Sequence, residues 1–196
     1  MTVQIDPADH PPGTRFLLYA PYQMQAIINN MAAQAAPLLM GADKVAIIGI
    51  LRRGAPLADR LTEALVQQFK LPVPLRLDLK IKRYADDLTL LHPETQLTEQ
   101  VGQAALDLAG YRVLVVDDVL YTGHSILRAV EWLAKKNPAA LYTAVLADRH
   151  VAQLPLRADV VGVHLQVAPP DVVECHVPPY EACFQIEVLR LDHEPV

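Results

Sequence analysis

The sequence has little cysteine and no excess of positive charge, and each of these shortages argues against a class of protein. Two cysteines in 196 residues are too few for a disulfide framework and are typical of a reducing compartment. His176 follows Cys175, but this spacing matches no zinc motif. With 17 basic and 22 acidic residues, the net charge is −5, which argues against wholesale nucleic-acid binding but not against a local basic patch.

Long apolar runs are also missing. The apolar segment 45–51 is far shorter than the roughly 20 residues that a membrane-spanning helix needs. Residues 1–13 carry acids and prolines where a secretory signal would have a basic and then an apolar stretch. We therefore expect a cytoplasmic protein without a membrane segment. The 52% hydrophobic content suits one substantial core, so a single domain over 1–196 is expected, with 1–15 as an irregular arm.

The most informative segment is 113–125, which reads Val-Leu-Val-Val-Asp-Asp-Val-Leu-Tyr-Thr-Gly-His-Ser. Its apolar start predicts a strand buried on both faces of a parallel sheet, and helical spacing follows from His124 to about Lys136. Asp117 and Asp118 come at the end of that strand, where ionised carboxylates can accept hydrogen bonds from vicinal hydroxyls. The alternative is that two adjacent aspartates only cap a turn.

The residues after the two acids suit a phosphate. Ligands of open α/β sheets bind beyond the carboxyl ends of the strands, and the start of a helix favours a dianion. Thr122 and Ser125 supply hydroxyls there, and Gly123 lets the backbone approach closely. Together with the acids, this loop predicts a site for a ribose 5-phosphate.

A second loop, Gly49-Ile-Leu-Arg-Arg-Gly54, lies between a predicted strand at 45–50 and a predicted helix at 55–69. It should therefore lie at the same edge of the sheet. Two arginines between glycines place positive charge and backbone donors where an anion could bind. The alternative is a solvated turn, since charged pairs usually face water.

Strands and helices alternate along the middle of the chain, which predicts an α/β fold with a mostly parallel sheet flanked by helices. A further helix is expected from Pro21 to Gly41. The remaining expected strands and extended pieces lie at 73–81, 141–147, 160–163 and from 172 to 191.

These segments resemble the type I phosphoribosyltransferases, and the wording Val-Asp-Asp-Val-Leu-Tyr-Thr-Gly at 116–123 resembles the PyrR type, the pyrimidine operon attenuators with uracil phosphoribosyltransferase activity. The segments 49–54, 84–89, 148–150 and 154–159 are similar to other parts of that group. The resemblance runs from about residue 22 to 192. It implies the type I phosphoribosyltransferase fold, a twisted, mostly parallel sheet flanked by helices with a small base-binding hood.

The resemblance also implies roles for individual residues. Asp117, Asp118 and Arg53 would be catalytic, with the two acids on the ribose hydroxyls. The other implied sites are the 5′-phosphate loop Tyr121, Thr122, Gly123, His124 and Ser125, the pyrophosphate loop Leu51, Arg52, Arg53 and Gly54, the flexible loop with Arg83, Asp86 and Asp87, and the base hood with Arg149 and His150. The pyrophosphate loop of the family often contains a cis peptide that does not precede proline. Mg²⁺ would be carried by phosphoribosyl pyrophosphate, without a cluster of protein ligands.

The sequence departs from the family pattern at three places. Ala85 stands where the family usually has arginine, and His124 where arginine or lysine is common. Segment 163–170, Val-His-Leu-Gln-Val-Ala-Pro-Pro, replaces the Pro-Thr-Ser-like turn of uracil-type members. No residue is identified as the general base of the reaction, and the identity of the nucleobase acceptor stays open.

The function implied is transfer of ribose 5-phosphate from phosphoribosyl pyrophosphate to a nucleobase, with uracil as the expected acceptor. One alternative is an RNA-binding regulator of pyrimidine genes that keeps the pocket as a nucleotide sensor, with Lys135, Lys136 and Arg157 in a local basic patch. Another is a transferase for a different base, such as a purine. Relatives form dimers or tetramers, so a homodimer or homotetramer is expected.

Overall fold

A computed structural model describes residues 13–80, 106–152, 154–168 and 171–191. The strands are β1 (Gly13–Tyr19), β2 (Lys44–Ile50), β3 (Leu75–Leu79), β4 (Tyr111–Leu120), β5 (Ala140–Asp148), β6 (Val160–His164), β7 (Val172–His176) and β8 (Gln185–Leu191). The helices are α1 (Pro21–Leu39), α2 (Gly54–Phe69) and α3 (His124–Ala134). Each helix and strand predicted between 21 and 191 is present, within a few residues of its expected bounds.

Five strands form a parallel sheet in the order β3-β2-β4-β5-β6. Side chains alternate between its faces, as strand geometry requires. On β2, Val45 and Ile47 join the core under α1 and α2, whereas Ala46 and Ile48 join the core under α3. Because both faces are covered, the strands read as continuous apolar runs. The predicted α/β class is confirmed.

Helix α1 lies against the far strand of this sheet. Pro21 takes the first turn, where its fixed φ is favourable and no N–H is needed. A Cβ atom on Gly162 of β6 would meet the Leu146 carbonyl oxygen at 2.5 Å and Met31 Sδ of the helix at 3.1 Å. The missing side chain therefore allows α1 to pack directly on the backbone of β6.

Three further strands form an antiparallel sheet in the order β1-β8-β7, which we call the hood. One face, with Val173, Cys175 and Ile186, extends the core under α1 and α2. The Cys175 thiol donates to the carbonyl oxygen of Asp118 at 3.8 Å, so the hood covers the end of β4. Cys175 and His176 point to opposite faces of β7, as neighbours in a strand do.

The other face of the hood is charged. Arg15 Nε lies 2.8 Å from Glu174 Oε2, and His176 Nε2 lies 2.9 Å from Glu187 Oε2. The hydrogen bond to Glu174 raises the pKa of the Arg15 guanidinium, burial opposes it, and the charges of Glu174 and Glu187 add to the rise. This face is held together by contacts across three strands.

The predicted irregular arm is wrong for residues 13–15, which begin β1 and pair with β8. Strand β1 forms by pairing with β8, which lies more than 160 residues further along the chain, so the residues around 13–15 do not indicate this partner. The rest of the arm, and the predicted flexible loop with Ala85, Arg83, Asp86 and Asp87, lie outside the described residues. None of the described helices is long and apolar enough to cross a membrane.

Candidate functional site

Asp117 and Asp118 lie inside β4, because the strand continues to Leu120. Asp117 pairs with Val145 of β5, and only 1% of its surface is exposed, against 3% for Asp118. The Asp118 N–H donates to Asp117 Oδ1 at 2.9 Å and orients that carboxylate. Two buried acids in a strand do not cap a turn, so the alternative of a simple turn is wrong. They are fixed acceptors near the carboxyl end of the central strand.

The predicted pyrophosphate loop connects β2 to α2. Its Leu51–Arg52 peptide bond is cis, as the family resemblance implies. The Leu51 N–H donates to the Leu79 carbonyl at 2.9 Å, which fixes the loop to the end of β3. Helix α2 begins at Gly54 without a side-chain cap and without an acid in its first turn. Its positive end is therefore available to an anion.

Gly54 brings this loop directly to the two acids. A Cβ atom on Gly54 would lie 2.5 Å from the Val116 carbonyl oxygen and 3.1 Å from Asp117 Cα. Gly49 lets the first turn of α2 approach β2 equally closely, since a Cβ atom on Gly49 would lie 2.6 Å from Ala55 Cα. The start of α2 thus packs on the backbone of β4 beside Asp117. Two segments that are separate in sequence form one edge.

The two arginines of the loop contact the hood. Arg53 donates through Nε and Nη2 to Glu181 Oε1, at 2.9 and 2.6 Å. The other oxygen of Glu181 accepts the Val177 N–H at 2.7 Å. The Arg52 guanidinium lies 5.7 Å from the centre of the Tyr180 ring. The loop is consequently tied to the hood, and the alternative of a merely solvated turn is wrong.

The predicted 5′-phosphate loop connects β4 to α3. Gly123 has a φ of 90°, a left-handed conformation that favours glycine. Helix α3 begins at His124, again without a side-chain cap or an acid in its first turn. His124 Nδ1 lies 3.0 Å from Thr122 Oγ1. Ser125 is the second residue of α3. The start of this helix, with its backbone N–H donors, therefore lies at the same edge of the sheet as the start of α2.

Arg149 and His150, the residues predicted for base binding, follow β5 of the parallel sheet and are not part of the three-stranded hood. Arg149 is 4% exposed, its guanidinium carbon lies 4.5 Å from the centre of the Tyr121 ring, and its Nε has no hydrogen-bond partner among the described residues. This cation–π contact joins the end of β5 to the phosphate loop. His150 has a left-handed backbone (φ 55°) and stacks on the ring of His164 at 4.9 Å. These residues stand beside the phosphate loop, two strands away from the pyrophosphate loop.

Four residues of this edge were missed from the sequence: Asp148, His164, Tyr180 and Glu181. Asp148 and His164 are register partners at the ends of β5 and β6, so correct pairing of the two strands could have found them. Tyr180 and Glu181 follow the cis Pro178–Pro179 bond and reach Arg52 and Arg53 across 128 positions of chain. No local signal indicates that contact.

The parallel sheet and this edge define an open α/β fold, a class in which ligands bind beyond the carboxyl ends of the strands. The model of the phosphoribosyl transferase domain matches residues 18–182. The chain belongs to the phosphoribosyl transferase domain family, as the resemblance of its signature predicts. The prediction of a phosphoribosyltransferase enzyme is confirmed with it.

Similar proteins give the same family. The bifunctional protein PyrR of Deinococcus radiodurans is 42% identical over 153 residues, which cover 78% of this chain and 82% of that protein. The bifunctional protein PyrR of Thermus thermophilus is 33% identical over 173 residues, covering 88% and 93%. The resemblance to PyrR proteins is therefore confirmed.

Solved structures give the same fold. A hypoxanthine phosphoribosyltransferase from Trypanosoma cruzi superposes with a TM-score of 0.70 at 22% identity, covering 91% of this chain and 96% of that one. The enzyme of the same kind from Staphylococcus aureus has a TM-score of 0.70 at 19% identity, covering 89% and 91%. At this level of identity the likeness concerns the fold alone.

Proposed function

We propose that the chain transfers ribose 5-phosphate from phosphoribosyl pyrophosphate to uracil, giving the nucleotide and pyrophosphate. The observation that carries this proposal is the position of Gly54, whose missing side chain brings the start of α2 to the backbone of Asp117. Two uncapped helix starts then lie on either side of two buried carboxylates. A ribose with a phosphate at one end and a diphosphate at the other matches this order of groups.

Different groups of the protein hold the 5′-phosphate and the ribose of the donor. The N–H groups at the start of α3, with the Thr122 and Ser125 hydroxyls, bind the 5′-phosphate far from the reacting carbon. Asp117 and Asp118 accept hydrogen bonds from the ribose hydroxyls. The remote phosphate supplies binding energy that positions the anomeric carbon for reaction.

The reaction moves charge toward the leaving group. As the bond to pyrophosphate breaks, the ribose gains positive character and the two buried carboxylates stabilise it. The departing diphosphate gains negative charge. Arg52, Arg53 and the positive end of α2 lie beside it and stabilise this charge. A ring nitrogen of the base forms the new bond to the anomeric carbon and then loses its proton.

Mg²⁺ fits this site through the chemistry of its donors. Asp117 and Asp118 are hard oxygen donors, which Mg²⁺ prefers, and they lie where the ribose hydroxyls would bind. The ion would be carried by oxygens of the bound donor, and Asp117 and Asp118 would hold it there through the ribose hydroxyls. When bound, Mg²⁺ supplies charge neutralisation on the diphosphate.

Uracil is proposed as the acceptor because the chain resembles PyrR proteins through most of its length. Arg149 and His150 follow β5, and Arg149 contacts Tyr121 of the phosphate loop, which supports a role of these two residues in contacting the base. The arginine would donate to a carbonyl oxygen of the base, which the pyrimidine ring of uracil offers.

The test is a panel of bases. The protein is incubated with phosphoribosyl pyrophosphate, Mg²⁺ and uracil, cytosine, hypoxanthine or guanine in turn, and pyrophosphate release is followed. We expect release with uracil alone. Release with a purine instead would contradict the acceptor but keep the transferase, and no release with any base would contradict the proposed activity.

A second role is proposed from the relatives, which are called bifunctional. The alternative function, binding of pyrimidine-operon leader RNA, would use a basic patch with Lys135 and Lys136 at the end of α3 and Arg157. Phosphate contacts make such binding fall steeply with salt. A salt-sensitive shift of leader RNA at low ionic strength is expected, and no shift there would contradict this role.

A further inference from the structure

Three side chains with metal-binding groups meet at the ends of β5 and β6. Asp148 and His164 are register partners on the two parallel strands, and His150 follows Asp148 by two residues. Each offers one ligand atom, and these atoms all lie within 4.8 Å of one another. The pairing of the sheet, not a chance meeting of surface side chains, therefore brings them together.

The distances suit a shared ion. His150 Nε2 and His164 Nδ1 lie 2.9 Å apart and share a hydrogen bond, whose proton a bound ion would displace, and Asp148 Oδ2 lies 3.9 Å from the same Nδ1 atom. Ligand atoms at bond lengths of about 2.1 Å from one ion are about 3.0–3.4 Å from each other, depending on geometry. Small rotations of exposed imidazoles would bring all three to one centre.

Asp148 is already oriented for this task. Its Oδ1 accepts the N–H of His150 at 2.8 Å, so Oδ2 is the oxygen that faces the imidazoles. The carboxylate is 11% exposed, whereas the His150 and His164 side chains are 46% and 60% exposed. A fixed acid at the base of the cluster and two accessible imidazoles above it leave the remaining coordination positions open to solvent.

The other His and acid cluster of the described residues provides a contrast. Glu174, His176 and Glu187 also lie within ligand distance of one another. There Arg15 binds both oxygens of Glu174, at 2.8 and 3.1 Å, so a protein cation already occupies the site. At Asp148 the ion-pair neighbours among the described residues are the two imidazoles themselves, and no arginine or lysine of that part of the chain pairs with it.

We propose that Asp148, His150 and His164 form a site for a divalent transition-metal ion of the Zn²⁺, Co²⁺ or Ni²⁺ kind. Two imidazole nitrogens and one carboxylate oxygen favour these ions over Mg²⁺, which prefers an all-oxygen site. This ligand cluster was not predicted from the sequence. The site lies at least two strands away from the pyrophosphate loop and is separate from the Mg²⁺ carried by the donor substrate, but it shares His150 with the proposed contact to the base. The proposal does not rest on the transferase activity.

The experiment uses the tag-free full chain, freed of metal by a chelator. Co²⁺ is titrated in, and its visible absorption reports nitrogen ligation directly, without substrate. We expect one equivalent per chain in the wild type, unaffected by millimolar Mg²⁺. The dissociation constant should rise at least about tenfold in His164→Gln and in His150→Gln, because each removes a ligand.

His176→Gln is the matched control, since it removes one imidazole of the cluster that Arg15 occupies. It should bind Co²⁺ as the wild type does. Circular dichroism checks that each variant folds, and Asp148→Asn gives a third, independent loss of a ligand. Equal affinity in wild type and His164→Gln would overturn the proposal, and so would a wild type that binds no Co²⁺ in this titration.

Discussion

Arg53 of the pyrophosphate loop is bound by Glu181 of the hood, with Nε and Nη2 at 2.9 and 2.6 Å from the same carboxylate oxygen. The pair is half-buried, with side-chain exposures of 21% and 11%. Glu181 at the same time accepts the Val177 N–H. One carboxylate therefore fixes both the loop that would hold pyrophosphate and the turn that ends β7. Glu181 therefore links the position of the pyrophosphate loop to that of the hood.

Glu181→Ala should lower both stability and donor binding. It leaves a half-buried guanidinium and the Val177 N–H without their acceptor, which costs about 1–3 kcal/mol of unfolding free energy. The KM for phosphoribosyl pyrophosphate should rise, because the Arg53 guanidinium of the pyrophosphate loop is no longer held in its position by Glu181. Urea denaturation and initial rates measure the two effects.

Glu131→Ala is the control for that variant. Glu131 pairs with Arg128 one turn away at 3.1 Å, and both side chains are 48% exposed. Such exposed helix pairs contribute about 0.3–0.5 kcal/mol. Equal denaturation midpoints for the two alanine variants would show that Glu181 is no more than a surface charge.

Asp117→Asn and Asp118→Asn should each reduce turnover by at least about a hundredfold, in line with the loss of one fixed electrostatic contact in a transition state. The amide has the same shape but lacks the charge that would stabilise a positive ribose. Pyrophosphate release measures turnover, and circular dichroism shows that the fold is intact. Wild-type turnover in both variants would remove these acids from the reaction.

The parts of the fold that the sequence predicts are those in which strand, loop and helix follow each other directly. At β2–α2 and β4–α3 the apolar run, the glycine and the helical spacing all lie within about 20 residues, so local patterns suffice. The two anion loops could be assigned to one edge because parallel strands place their carboxyl ends together.

The parts that could not be predicted depend on distant contacts. Strand β1 pairs with β8 at the opposite end of the chain, and the Arg53–Glu181 pair spans 128 positions. Strand β4 also continues through Asp117 and Asp118, although acids rarely lie buried in a strand. Composition predicts that a strand ends at such residues, whereas pairing with β5 carries it to Leu120.

Gly54→Ala should displace the pyrophosphate loop. The added Cβ would lie 2.5 Å from the Val116 carbonyl oxygen, so helix α2 must move away from β4. Overpacking of this kind costs about 1–3 kcal/mol. Turnover should fall as well, because the loop and Asp117 separate.

Gly41→Ala distinguishes lost stability from lost geometry. Gly41 has a φ of 77° and no atom within 4 Å of its Cβ position, so alanine there costs only the left-handed strain, about 1–2 kcal/mol. It lies at the opposite edge of the sheet, before β2. Its turnover should match the wild type below the melting temperature. Turnover reduced equally in both variants would mean that the contact of Gly54 with β4 has no role in the site.

The contact between Arg149 and Tyr121 should stabilise the phosphate loop, because the guanidinium lies 4.5 Å from the ring centre and is almost fully buried. A cation–π contact of this kind contributes about 1 kcal/mol, which is about a fivefold change in affinity. Tyr121→Leu should raise the KM of the donor by about that factor. Tyr121→Phe keeps the ring face and should leave it unchanged.

A double-mutant cycle with Arg149→Lys isolates the contribution of the Arg149–Tyr121 pair, since lysine keeps the charge but loses the flat guanidinium. Additive effects of Tyr121→Leu and Arg149→Lys would mean that the two side chains act independently. A coupling energy near 1 kcal/mol would mean that their contact holds the phosphate loop in position.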